Sequence, residues 1–256
     1  MKNNDATEVL NYILYSKGQD AHDARKILAR HGFCLETLIH DEDVSVRCAV
    51  ARQGYGLDIL IHDNSPCVRA NVADQGYGLD TLVDDDDPLV RMAVARQGFG
   101  FEKLVYDDDR EIRRYLASKG YGVKTLIHDK DPIVRRILAD NGYGLDVLIK
   151  DDEPCVRMAV AEQGYGLEIL VNDIDPDVRK TVAQQGFGLE KLIKDKFFYV
   201  RKAVAQQGFG LDILINDKNP QVRNAVAEQG YGLEILVDDK NENVRNYAMQ
   251  LLRYKN

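Results

Sequence analysis

The sequence predicts an all-α solenoid, and three observations predict it. A 22-residue unit, G-[YF]-G-L-D-x-L-[IV]-x-D-x-D-P-x-V-R-x-A-V-A-x-Q in consensus, is written ten times over residues 32–251 with no insertion or deletion. A strict period of this length is the mark of stacked supersecondary units rather than of one globular core. All six prolines fall at one position of the unit, most of them behind a residue of the kind that caps helices. In the run that follows, apolar residues stand four apart, as Val68 and Val72 do, which places them on one helix face.

The elements can be justified in chain order, counting the first glycine of each unit (Gly32, Gly54 and so on to Gly230) as position 1. Residues 5–16 read as a helix, and Asp23 to Ala29 as a degenerate eleventh copy, with Arg25 one period before Arg47. Residues 1–31 are therefore expected to cap the array, since terminal repeats must differ from internal ones. Positions 4–9, Leu57 to His62 for example, predict a short helical segment, 3₁₀ in part. The longer helix starts at position 13, at Pro66, Pro88, Pro132, Pro154, Pro176 and Pro220, behind Ser65, Asp87, Asp131, Glu153, Asp175 and Asn219. It is expected to run about ten residues and to stop at the next position-1 glycine, which can adopt the left-handed conformation. Strands are the rival for the β-branched LIHD and VRMAV segments, but the spacing of four and the leading proline favour helices. After the tenth copy Tyr247, Met249, Leu251 and Leu252 are expected to close the last face, leaving 252–256 as a tail.

Positions 4, 7, 8, 15 and 19 are apolar almost throughout and form the expected core. Position 2 is always Phe or Tyr, from Phe33 to Tyr231, and each ring is expected to plug the seam between repeats rather than stack a ligand. Alanine at position 20, Ala51 to Ala227, permits close helix approach. Position 16 is always Arg and position 10 always Asp, ten of each at a constant offset. That equality predicts a ladder of Arg–Asp contacts, within a repeat or between neighbours, more than an open anion-binding stripe.

Composition narrows function. The chain has 34 basic and 42 acidic side chains, a formal charge of −8, which argues against a general binder of phosphate backbones. Cys34, Cys48, Cys67 and Cys155 form no CxxC pair, and Cys67 and Cys155 lie four repeats apart. Free thiols suit a reducing cytosol. The start MKNNDATEVLNYIL has neither the basic opening nor the apolar run of a signal peptide, and nothing approaches a membrane span. His40, His62 and His128 share position 9, but neighbouring copies stand too far apart to share a metal. Acidic turns such as Asp84 to Asp87 and Asp173-x-Asp175-x-Asp177 lack the glycine and closing glutamate of a calcium loop. No phosphate loop or nucleophile elbow is present. No catalytic residue, metal or cofactor is therefore expected.

What remains is where the copies differ. Position 17 runs Cys48, Ala70, Met92, Arg114, Arg136, Met158, Lys180, Lys202, Asn224, Asn246. With positions 14, 17 and 21 expected to face outward, this row is apolar first, then basic, then neutral, and would suit an acidic peptide with an apolar end. Repeat eight has Phe197, Phe198 and Tyr199 where Asp-Pro is the rule, a candidate interface anchor or a cluster folded over a neighbour. Repeat four also departs, with Tyr106, Arg110 and Tyr115.

The third copy, Asp85 to Ala95, shows the segment DDDPLVRMAVA in full. It resembles the leucine-rich repeat variant family and, more distantly, HEAT-like repeats. The resemblance covers about 220 residues and implies a right-handed superhelix of alternating α and 3₁₀ helices, with the longer helices lining its concave face. The unit is slightly shorter than that family's, its Gly-aromatic-Gly replaces an Asn-Pro type of turn, and no N-terminal cysteine cluster stands for an iron–sulfur site. The expected function is a non-enzymatic protein–protein scaffold, cytosolic, bacterial and monomeric, whose candidate partner-binding residues are Met92, Arg114, Arg136, Met158, Lys180, Lys202 and Phe197 to Tyr199. Two rivals are a nucleic-acid binder using the Arg114-to-Lys202 stripe and a HEAT-like lyase. The acidic total weighs against the first and the lack of an acid, base or nucleophile against the second.

Overall fold

A computed structural model describes residues 3–255, with side-chain surroundings for 7–253. Among the described residues there are helices and turns and no strands. The array divides into two compact units, Met1–Gly122 and Val123–Asn256. In the first, the helices Gln19–Arg30, Val44–Arg52, Pro66–Asp74 and Pro88–Arg96 stack each on the next, and Arg110–Ser118 follows on Pro88–Arg96. In the second, the same stacking runs from Pro132–Asp140 through Pro154–Glu162, Pro176–Gln184, Phe198–Gln206 and Pro220–Glu228 to Glu242–Lys255. Each long helix also packs on the four-residue helix of its own repeat. Each unit is thus an α-solenoid.

The helix starts follow the sequence. Asp87, Asp131, Asp175 and Asn219 each accept a hydrogen bond from the backbone N–H two residues on, satisfying one of the free donors at the helix entrance. Ser65 and Glu153 cap without a side-chain bond. The exits bend through position-1 glycines at φ of 70–78°. Position 22 adds a second closure, because Gln53, Gln97 and Gln163 donate to the last helix carbonyl of the preceding repeat (Arg30, Asp74 and Asp140) at 2.9, 3.0 and 2.9 Å. The position-3 glycine begins the short helix, also left-handed. At Gly166, φ +61°, a Cβ would run into Ile149 Cδ1, so both conformation and packing demand glycine. Cys34 holds this place in the first copy at φ 57°.

The short helices are one α-turn finished by i→i+3 bonds. Ile61 N–H reaches Leu57 O, whereas His62 and Asp63 reach Ile59 and Leu60. The 3₁₀ expectation holds only at the ends.

The core is positions 7, 8, 15, 19 and 20, as in Leu148, Ile149, Val156, Val160 and Ala161. Position 4 is half-buried, apart from the buried Leu233. The aromatics at position 2 do not vanish into the seam. They keep one face in solvent, from 37% at Tyr55 to 61% at Phe33. The seam contact is nonetheless real where it can be seen, since Phe101 at position 4 stacks on Tyr121 of the next copy with centroids 3.8 Å apart. A ring two residues from the helix exit covers its neighbour with one face and has nothing above the other.

The Arg–Asp ladder runs between repeats. Arg157 donates from Nε and Nη2 to the two carboxylate oxygens of Asp173 at 2.7 and 2.8 Å, and from Nη1 to the carbonyl of Asp151 in its own repeat at 2.6 Å. Asp173 Oδ1 in turn accepts the Asp175 N–H at 2.8 Å. The same 16-residue reach joins Arg25, Arg47, Arg69 and Arg91 to Asp41, Asp63, Asp85 and Asp107 in the first unit, and Arg135, Arg179, Arg201 and Arg223 to Asp151, Asp195, Asp217 and Asp239 in the second. Arg25 therefore makes the degenerate eleventh copy a true member of the stack. At the other end the helix Glu242–Lys255 takes in residues 252–255 of the expected tail, the last residue lying outside those described, and Met249 stays 41% exposed.

Candidate functional site

With positions 15 and 19 in the core, position 18 buried in most copies (Ala49, Ala93, Ala159, Thr181, Ala203 and Ala225) and position 16 in the ladder, positions 14, 17 and 21 form the remaining face of each long helix. Position 17 is not its outermost row. Cys48 and Ala70 are buried, and Met92, Arg114, Met158, Lys180, Lys202 and Asn224 are half-buried, leaving Arg136 and Asn246 exposed. Neighbouring helices, about 8–10 Å apart, wall in the side chains between them. Position 17 is the floor, and positions 14 and 21 are the rims.

In the second unit the four expected contacts fare differently. Arg136 has an acid on its own helix, Asp140, with Nε to Oδ2 3.6 Å, though both side chains are well exposed and the pair is weak. Met158 supplies an apolar surface beside it. Lys180 and Lys202 have no ion pair among the described residues although they stand half-covered in an acidic chain. Next along the row, Asn224 Oδ1 is buried and accepts no hydrogen bond. Unmet acceptors of this kind are uncommon and costly. Two consecutive copies therefore each carry a lysine without an ion pair along a single row, and the next carries its amide acceptor below the surface.

Tyr199 lies three residues before Lys202 and so shares its helix face. Burial first, and then the carboxylates of Asp177 and Asp175, push its phenol pKa up. The three aromatics form one self-packed cluster. Phe197 and Phe198 centroids both lie 5.5 Å from Tyr199, the second edge-on at 84°. Arg179 and Lys196 stand 5.9 and 5.7 Å from the Phe197 ring. The cluster is folded over its neighbour, with Phe198 and Tyr199 half-buried and Phe197 at 36% exposure the only one open as an anchor.

In the first unit Met92 is half-buried and Arg114 Nη1 bonds Glu111 Oε1 at 2.7 Å. Of the four cations of the expected stripe, Arg114 and Arg136 are thus engaged on their own helices. The first unit also holds something the sequence reading passed over. Where position 17 shrinks to Cys48 and Ala70, the face opens into a groove of about 600 Å³. The signal was the smallness of those two residues, which reads as an absence of chemistry until neighbouring helices are seen to stand above them.

His40, His62 and His128 are exposed, as expected. His22 is the exception, its Nε2 2.7 Å from Asp43 Oδ2. Among the described residues no helix is long and apolar enough to cross a membrane. In comparisons with known proteins, no family model and no curated protein matches the chain.

Proposed function

We propose that the chain is a non-enzymatic scaffold that grips an extended, acidic segment of a partner protein along the long-helix face. The observation that carries this reading is the pair Lys180 and Lys202, half-buried and without an acidic partner among the described residues. A strand of peptide crossing the helices would place carboxylates on the two lysines, since an ammonium group donates strongly to a carboxylate. A lysine whose stem is half-buried holds its charge near one place on the row, where an anion can find it. The resemblance to the leucine-rich repeat variant family supports a scaffold in general terms, and a cytosolic, bacterial, monomeric protein belongs to the same reading. The net charge of −8 weighs against nucleic acid as the partner.

The test compares capture from a source lysate by the wild-type chain, by the Lys180→Glu plus Lys202→Glu variant, and by Phe198→Ala. The double variant should lose its principal partner by tenfold or more, and the captured protein should carry an acidic segment. Equal capture by all three chains, or salt-sensitive retention of DNA instead, would overturn the reading.

A further inference from the structure

We propose that the first unit contains a separate pocket for the apolar anchor of an acidic partner peptide: a leucine-like side chain with carboxylates on either side of it. The inference rests on the scaffold reading above but uses different residues and a different unit.

The pocket is the groove of about 600 Å³ that spans the helices Gln19–Arg30, Val44–Arg52 and Pro66–Asp74 and reaches Leu89 on the next. That volume lies in the range of small-ligand and side-chain pockets. Its floor is Cys48 and Ala70, buried at 7% and 5% exposure. Its walls include the exposed apolar side chains of Val44 and Leu89. In the other copies Met, Arg, Lys or Asn fills the floor position, whereas Cys48 and Ala70 leave room above it here.

The rim decides which peptide would enter. Lys26, Arg30 and Arg52 line the groove, and none has an acidic ion-pair partner among the described residues. Arg52 Nε is held by the neutral Asn71 Oδ1 at 2.7 Å, which fixes the guanidinium at the groove edge without neutralising it. Two acids also line the groove. Asp43 is committed to the Ser45 N–H and to His22, and Asp74 stands exposed at the end of its helix. The rim thus carries three cations without an ion pair against two carboxylates, a net positive edge. An apolar side chain flanked by lysines would meet repulsion on both sides, and one flanked by glutamates would meet attraction.

The test uses the full chain and fluorescein-labelled nine-residue peptides with one central leucine, flanked by glutamates, glutamines or lysines. Anisotropy titrations should give at least tenfold tighter binding of the glutamate peptide than of the lysine peptide. Lys26→Glu plus Arg30→Glu, both changes outside the core, should abolish that preference while circular dichroism stays unchanged. Lys180→Glu plus Lys202→Glu should leave it intact, which separates this pocket from the site in the second unit. Cys67 is exposed and lines the groove. Saturating glutamate peptide should therefore slow its alkylation by iodoacetamide at least threefold, read by peptide mass mapping. Cys155, at the same position of a second-unit repeat, should react at an unchanged rate. Absence of binding, equal binding of the three peptides, loss of binding in the Lys180 and Lys202 variant, or an unprotected Cys67 would each overturn the proposal.

Discussion

Arg135 lies at a junction of two turns. Its Nε and Nη2 grip Asp151 at 2.6 and 2.8 Å and its Nη1 reaches the Asp129 carbonyl at 2.6 Å. The Asp151 side chain is only 6% exposed, so removing the guanidinium leaves a covered carboxylate without its counter-charge. Loss of one partner from such a pair costs about 3–5 kcal/mol. Arg135→Ala should lower the urea midpoint of unfolding accordingly. Arg135→Lys should fall in between, because an ammonium restores the charge and not the fork. A midpoint unchanged in Arg135→Ala would show the ladder to be ornament. The pairing of Arg and Asp was legible in the sequence from their equal numbers and fixed offset. Its direction was not, because an offset of six within a repeat and sixteen into the next are equally regular in a periodic chain. Only the stacking of one turn over another chooses the carboxylate from the next repeat and the carbonyl from its own.

The long helices show the same division between what local chemistry announces and what neighbours decide. Their starts at proline and their exits at glycine are local, and so are legible in the sequence. The depth of position 17 is not, because a single helix has no inside groove until a second one stands beside it. The same limit hid the pocket over Cys48 and Ala70 and left the fate of Phe197 to Tyr199 open between anchor and packing. The helix Phe198–Gln206 tests where that balance lies. Its N-cap residue is Phe197, which makes no side-chain cap bond, where its neighbours use Asp or Asn. Phe197→Asp should therefore stabilise the fold by about 1 kcal/mol, the usual value of a cap. The same change removes the one aromatic of the cluster that is open, so partner capture should fall while the melting temperature rises. Such an opposed pair of effects would identify Phe197 as a residue kept for binding at a cost in stability. A melting temperature that falls in Phe197→Asp would instead make the cluster a structural plug.

Across the whole chain the ladder couples folding to pH. Burial acts to raise the pKa of Asp63, Asp85, Asp107, Asp151 and Asp217, but hydrogen bonds from their arginines and from the backbone N–H two residues on outweigh it, and each is held below the usual carboxylate value. At Asp239 the Arg223 bond is the leading influence, with the same result. The partner guanidiniums are raised by the same bonds, so they stay charged at any pH of interest. A carboxylate more acidic in the folded chain than in the unfolded one contributes stability that is complete above its unfolded pKa, about 3.9, and is lost as pH falls through the folded value. Stability should therefore be flat from about pH 8 to pH 5 and should fall steeply below about pH 4. Because each of these bonds spans an interface between repeats, and repeat arrays draw their stability from nearest-neighbour interfaces, protonation weakens many junctions at once. The slope of unfolding free energy against pH in that window should correspond to the uptake of several protons, not one. Urea titrations at half-unit pH steps between 2.5 and 8, followed by far-ultraviolet circular dichroism, measure it. Arg135→Ala, which leaves Asp151 without its lowering partner, should show a shallower slope than the wild type. An equal slope in the two chains would assign the acid sensitivity to the exposed carboxylates of the turns and remove the ladder from the account.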